Sequence, residues 1–149
     1  MFSWDSYKYG TSDSNFTKYN STDGKTQLDN DDDDVYLATN GVQRMPTQAE
    51  LQELYEETNN RFITLPNGVK GMVFENKSDP TKAIFIPLTG FCSIDSLIND
   101  DTEAYLWSST RYADASFAYR LYFDSSKISI YQRARMQGLS VRGVSNPND

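Results

Sequence analysis

Apolar positions along the chain follow two different periods. Leu51, Leu54, Tyr55 and Thr58 recur at i, i+3, i+4 and i+7, the spacing that puts side chains on one face of an α-helix. Thr47-Gln48-Ala49-Glu50 stands ahead of them with Pro46 just before it. This is a capping box, in which the threonine and the glutamate each satisfy a free backbone N–H of the first turn. Together these features predict a helix over 47–58. Glu50, Glu53, Glu56 and Glu57 surround its outer face, so they are expected to be solvated rather than catalytic.

From Asn60 onward a period of two takes over. Residues 69–75 and 83–88 are short apolar runs, and Pro66-Asn67-Gly68 and Ser78-Asp79-Pro80 read as turns. Residues 104–109 predict a further strand. Residues 117–124 alternate: Phe117, Tyr119, Leu121 and Phe123 point one way, and Ala118, Arg120, Tyr122 and Asp124 the other. Ile128 and Ile130 alternate with Lys127, Ser129 and Tyr131, and residues 139–144 predict a final strand. Trp107, Tyr119, Leu121, Phe123 and Val141 fall on the inward phase and are expected to be buried.

The first 30 residues are rich in Ser, Thr, Asn, Asp and Tyr and show little periodicity. They read as loop with one short strand, a segment that wraps the core through Trp4, Tyr7, Tyr9, Phe16 and Tyr19. Asp29 and Asp31 to Asp34 form an acidic knot ahead of Val35-Tyr36-Leu37-Ala38. Acids there either cap a short helix ending at Gly41 or hold calcium. The alternating ligands, central glycine and final glutamate of an EF-hand loop are missing, so the cap is expected and folding should not require calcium. Early helices followed by short strands imply an α+β domain, with two N-terminal helices packed on a mainly antiparallel, short-stranded sheet.

Composition narrows the chemistry. A chain of 149 residues is the size of one domain, taken as 1–149 with residues 1–30 as the wrapping segment. No apolar run reaches the roughly 20 residues of a membrane-spanning helix, so no membrane insertion is expected. Residues 1–10 carry neither a basic n-region nor an apolar h-region, so no signal peptide is read in them. There is no histidine and one cysteine, Cys92. Ser-His-Asp and Cys-His catalysis, Cys-x-x-Cys metal sites and intrachain disulfides are thereby excluded, and no enzyme activity, cofactor or metal site is expected.

The net charge of −7 argues against nucleic acid, but it is unevenly spread. Residues 1–60 hold twelve acids and four bases, whereas residues 107–149 hold three acids and six bases. That last third interleaves its apolar positions with large polar side chains: Arg111, Tyr112, Asp114, Arg120, Tyr122, Asp124, Lys127, Ser129, Tyr131, Gln132, Arg133 and Arg135. Tyrosine and arginine dominate binding hot spots, so these twelve form the candidate ligand-binding set, for a protein or glycan partner. The competing reading of the same residues is an ordinary polar outer face. Tyr112, Arg120, Tyr122, Lys127, Tyr131, Arg133 and Arg135 in particular are expected to be largely exposed on one face.

Arg44-Met45-Pro46-Thr47-Gln48-Ala49-Glu50-Leu51-Gln52-Glu53-Leu54 resembles the "RMPT-x-AE-x-x-EL" element of the Fibrobacter major-paralogue (FISUMP) domains of Bacteroidetes surface proteins. Tyr7-Lys8-Tyr9, Thr17-Lys18-Tyr19-Asn20, Asp23-Gly24-Lys25 and Asp33-Asp34 are similar to the N-terminal section of that family. Ile84-Phe85-Ile86-Pro87 with Gly90-Phe91 resembles its "IFLPAAGY" strand. Trp107-Ser108-Ser109-Thr110, Ala118-Tyr119, Leu121, Phe123, Ser140-Val141-Arg142 and Val144 resemble its C-terminal signature. Nearly the whole chain is covered, in order.

The resemblance implies a C-type lectin-like fold, shared with formylglycine-generating enzymes and with the variable proteins of diversity-generating retroelements. In those variable proteins the segment corresponding to 107–144 carries the ligand-binding positions. It also implies a cell-surface, extracellular or phage-particle setting. The chain departs from the pattern at Gln43, where the family's "GGNWRMPT" stretch has tryptophan. The sugar-calcium motifs of true lectins and a second cysteine are absent. The resemblance therefore implies a non-catalytic recognition domain. The rival function is a structural spacer of a larger surface protein.

Overall fold

A computed structural model describes residues 3–93 and 95–145. Met1, Phe2, Ile94 and residues 146–149 of the expected 1–149 domain lie outside the described residues. Two short strands, β1 (Gly10–Ser12) and β2 (Asn15–Phe16), pair as a hairpin. A 3-10 turn at Asn30–Asp32 leads into α1 (Asp34–Ala38), then β3 (Gln43–Arg44) and α2 (Gln48–Glu56). Strands β4 (Thr58–Thr64), β5 (Lys70–Asn76) and β6 (Ala83–Pro87) form one antiparallel sheet in that order. A small hairpin of β7 (Phe91–Ser93) and β8 (Ser96–Ile98) follows. β9 (Ala104–Arg111), β10 (Phe117–Phe123) and β11 (Ile128–Ala134) form a second antiparallel sheet with β10 in the middle. β12 (Val144–Ser145) returns to pair with β3.

This corrects the expected architecture. Strand makes up 42% of the described chain and helix only 12%, with one helix of seven residues or more. The expected two N-terminal helices packed on a sheet, and with them the C-type lectin-like arrangement inferred from the resemblance, are not what forms. The physical reason lies at α1. It is only five residues long and buries no side chain; just past its Thr39 cap, Asn40 and Gly41 turn the backbone to positive φ and end it. A single turn has no stripe long enough to cover a sheet. The strands are divided among five small sheets rather than one.

The acidic knot does cap. One oxygen of Asp33 accepts from the N–H groups of Val35 and Tyr36 at 2.9 and 3.1 Å, and the other accepts from Met45 N at 2.7 Å. At α2 the capping box is complete: Thr47 Oγ1 accepts from Glu50 N, and Glu50 Oε2 accepts from Thr47 N at 2.8 Å. Arg44 grips the same carboxylate through both terminal nitrogens at 2.8 and 2.7 Å. That fork, ahead of the Thr47 N–H bond, holds Glu50 down to about 2.

Leu51 of α2 closes the main core with Met72 and Phe74 of β5, Ile86 of β6, Ala104 and Leu106 of β9, and Leu121 and Phe123 of β10. Leu121 and Phe123 are completely buried, as their phase predicts. Trp107 and Tyr119 are only half-buried. Trp107 lies opposite Arg120, which puts it on the outward phase, contrary to expectation. Val141 is 47% exposed. Residues 139–144 do not form a strand of their own. Ser140 instead hydrogen-bonds along the edge of β9, accepting from Trp107 N and donating to Tyr105 O.

Replacing Phe123 by alanine removes a ring that meets Phe74 edge-to-face at 6.0 Å. A loss of about 3–5 kcal/mol is expected in denaturant melts. A loss below about 1 kcal/mol would place Phe123 outside the core.

Candidate functional site

The hairpin register decides which side chains share a face. Ala118 lies opposite Arg133, Arg120 opposite Tyr131, and Tyr122 opposite Ser129. Directly opposed residues point to the same side of a sheet. β9 adds Tyr105 and Trp107, opposite Tyr122 and Arg120. The side of β10 turned away from Leu121 and Phe123 therefore carries Arg120, Tyr122, Ser129, Tyr131 and Arg133 together.

That side has a buried aromatic floor. Phe91, Tyr105 and Tyr122 form a second small core, with ring centres 5.0 Å apart from Phe91 to Tyr105 and again from Tyr105 to Tyr122. Gly90 makes the approach of Phe91 possible. Its φ is +58°, and a Cβ there would stand 2.2 Å from the carbonyl oxygen of Ile98. Gly90 N bonds to Glu103 O at 2.8 Å, which fixes β7 beside the start of β9.

Buried phenols need partners at their polar ends, and two carboxylates supply them. Tyr105 Oη donates to Glu103 at 2.8 Å, and Tyr122 Oη to Asp124 at 2.5 Å, with Glu103 also 3.1 Å away. Burial first, and then the Glu103 hydrogen bond, pushes Tyr105 up to about 12. Burial and the bonds to Asp124 and Glu103 raise Tyr122 still more strongly. Both phenols are thereby held in their protonated, hydrogen-donating form, and their rings pack as the floor of this side.

Three cations lie over these three rings. The Arg133 guanidinium is 4.5 Å from the centre of Phe91 and 5.2 Å from that of Tyr105. Arg120 is 5.5 Å from Tyr105 and 5.0 Å from Tyr122. Lys127 Nζ is 5.1 Å from Tyr122. The negative faces of the rings hold the positive heads in a row. Tyr131, 58% exposed, stands beside Arg120 on the neighbouring strand.

The other candidates are placed as follows. Tyr122 was expected to be exposed and is 6% exposed; it is floor, not contact surface, because the Phe91 hairpin covers it. Ser129 holds Arg120 through its carbonyl and hydroxyl, both at 3.3 Å. Asp124 ties the β10–β11 turn, accepting from Ser126 N at 2.7 Å and Lys127 N at 3.0 Å. Asp114 is exposed in the β9–β10 loop, away from the row. Tyr112 packs on Tyr119 at 5.3 Å, and Gln132 is opposite Tyr119, so both belong to the other side of the sheet.

Arg111 and Arg135 are staples rather than free binding groups. Arg111 donates to the carbonyls of Lys25, Tyr112 and Ala113 at 3.0, 2.9 and 3.0 Å. Arg135 donates to those of Tyr19, Ala115 and Lys18 and packs on Phe16 at 4.2 Å. Both fasten the N-terminal segment to the sheet. Where that segment crosses, a cavity of about 280 Å³ opens, walled by Tyr7, Tyr9, Tyr19, Trp107, Ala118 and Asp32 among others.

Phe91, Glu103, Tyr105 and Trp107 lie outside the candidate set drawn from the sequence, and Asp32 is read there only as part of the acidic knot. Tyr105 and Trp107 were readable in one respect, since they alternate with Ala104 and Leu106. Asp32 is buried and accepts from Lys8 at 2.8 Å, from Lys18 and from Tyr19 Oη. Among the described residues no group of three or more acidic or cysteine side chains is placed to share a metal ion. Protein-family models, curated proteins and solved structures all lack a match to this chain.

Burial would raise the Asp32 carboxyl, but the hydrogen bonds from Lys18, Lys8, Tyr19 and Tyr9 outweigh it and hold the group well below the usual carboxylate range. Its contribution to stability is therefore present above the unfolded-state value of about 4 and lost as pH falls through the lower folded-state value. Asp32→Asn should destabilise by roughly 1–3 kcal/mol at neutral pH, and the gap from the parent should narrow below about pH 4. A gap that stays constant into acid would contradict the assignment. Thermal melts in calcium and in chelator should coincide, because Asp32 and Asp33 are already engaged. A calcium-dependent rise in Tm would show a bound ion.

Proposed function

We propose that this chain is a non-catalytic ligand-recognition domain whose contact surface is the outer side of the β9–β10–β11 sheet. The carrying observation is the row Arg133, Arg120 and Lys127, held over a buried aromatic floor beside the exposed Tyr131. Side chains fixed in this way lose little conformational entropy on binding, and an exposed ring on a rigid strand supplies contact area at low cost. Sequence resemblance to FISUMP domains supports a setting on a bacterial surface protein or a phage receptor-binding protein. The partner on this reading is a protein or glycan. A reverse-transcriptase gene beside a near-copy of the segment encoding 107–142 would identify that segment as diversified.

The test uses Tyr131. Tyr131→Ala should leave Tm within about 2 °C, because the ring is mostly exposed. It should weaken binding to ligands found on glycan or protein arrays by about tenfold or more. Equal array binding by parent and variant would remove the proposed contact surface.

A further inference from the structure

Three cations on this face, Arg120, Arg133 and Lys127, stand against two carboxylates, Glu103 and Asp124, an excess of one positive charge. Among the described residues neither Arg120 nor Arg133 nor Lys127 forms an ion pair, although the chain carries a net charge of −7. The carboxylate facing the row, Glu103, is occupied by Tyr105, Tyr122 and Asn99. Asp124 is occupied by Tyr122 and the turn.

The two guanidiniums are also short of acceptors. Among the described residues Arg120 Nη1 makes only the two long bonds to Ser129 at 3.3 Å, and its Nε is buried without a partner. Arg133 donates through Nε to Gln137, and no hydrogen bond from its terminal nitrogens is present among the described residues. Both guanidiniums lie within 5.5 Å of the Tyr105 ring centre. Two like charges held together, with terminal nitrogens on Arg133 that no described residue engages, can receive an oxyanion, which would offset the repulsion.

We infer that Arg120, Arg133 and Lys127 form a subsite for the carboxylate or sulfate groups of an acidic polysaccharide, with Tyr131 packing on a sugar ring beside them. This rests on the recognition reading above and names its ligand class. A linear array of cations suits anions repeated along a chain, and the exposed ring offers a flat apolar surface next to the charges. The chain's net charge of −7 opposes duplex nucleic acid, whose phosphates stand about 1.7 Å apart along the axis.

The experiment is titration calorimetry of the full chain with oligogalacturonate, a heparin-derived oligosaccharide, neutral dextran, poly-glutamate and single-stranded DNA, at two salt concentrations. Binding is expected to one or both acidic saccharides and not to dextran, weakening as salt rises. The carboxylated and sulfated arms separate the two oxyanion sources. Arg133→Gln should cut the affinity at least about tenfold while Arg133→Lys retains part of it. Lys127→Gln, at an exposed turn, gives the same direction of change if an arginine variant fails to fold. Failure of both acidic saccharides to bind, undiminished binding by the variants, or equal or tighter binding of poly-glutamate or DNA would overturn the inference. Tyr131-dependent capture of a neutral or protein ligand that is indifferent to Arg133 would overturn it while leaving the recognition reading standing.

Discussion

The strand β10 is covered on both sides, and the rest of the structure follows from that constraint. Leu121 and Phe123 face the main core, while Tyr122 faces Phe91 and Tyr105. An aliphatic second layer would close the molecule and leave nothing to bind with. An aromatic one leaves two requirements: the phenol ends need acceptors, and the negative ring faces attract cations. Glu103 and Asp124 meet the first and Arg120, Arg133 and Lys127 the second. The charged row is thus the outer layer of a packing solution, which is why its members are held in place.

A second dependency ties the N-terminal third to the same sheet. The β1–β2 hairpin is too small to stand alone. Its Phe16 packs on Trp4 and Tyr7 and under the Arg135 guanidinium, and Arg135 and Arg111 reach across to the carbonyls of Lys18, Tyr19 and Lys25. Planar guanidinium donors suit this role because one side chain can satisfy several carbonyls of irregular backbone. Asp32 completes the fastening with Lys8 and Lys18, as a nearly buried acid between two lysines that are more exposed. The cavity beside Trp107 lies along that seam.

Local signals in the sequence were legible where one side chain acts on its own neighbours. The capping box at Thr47 and Glu50, the cap at Asp33, the turn at Gly68 and the alternation through Leu121 and Phe123 all depend on contacts a few residues apart. Long-range cover was not legible. Period two assigns Tyr122 to the side opposite Phe123, but it cannot say whether that side meets water or another element, and here the Phe91 hairpin arrives from elsewhere in the chain. Arg111 and Arg135 look like binding residues by type, yet their partners lie 86 and 116 residues away in sequence. The split into small sheets was equally hidden, because strand pairing depends on turns and termini rather than on periodicity.

The two-layer construction of this face can be read directly by chemical modification of tyrosine. N-acetylimidazole treatment of the folded chain, with modified positions mapped by mass spectrometry, should label Tyr131 readily and leave Tyr105 and Tyr122 protected until the chain is denatured. Labelling of Tyr122 in the native state at a rate matching Tyr131 would show that the aromatic floor is open to solvent, and the account of how the cations are held would be wrong.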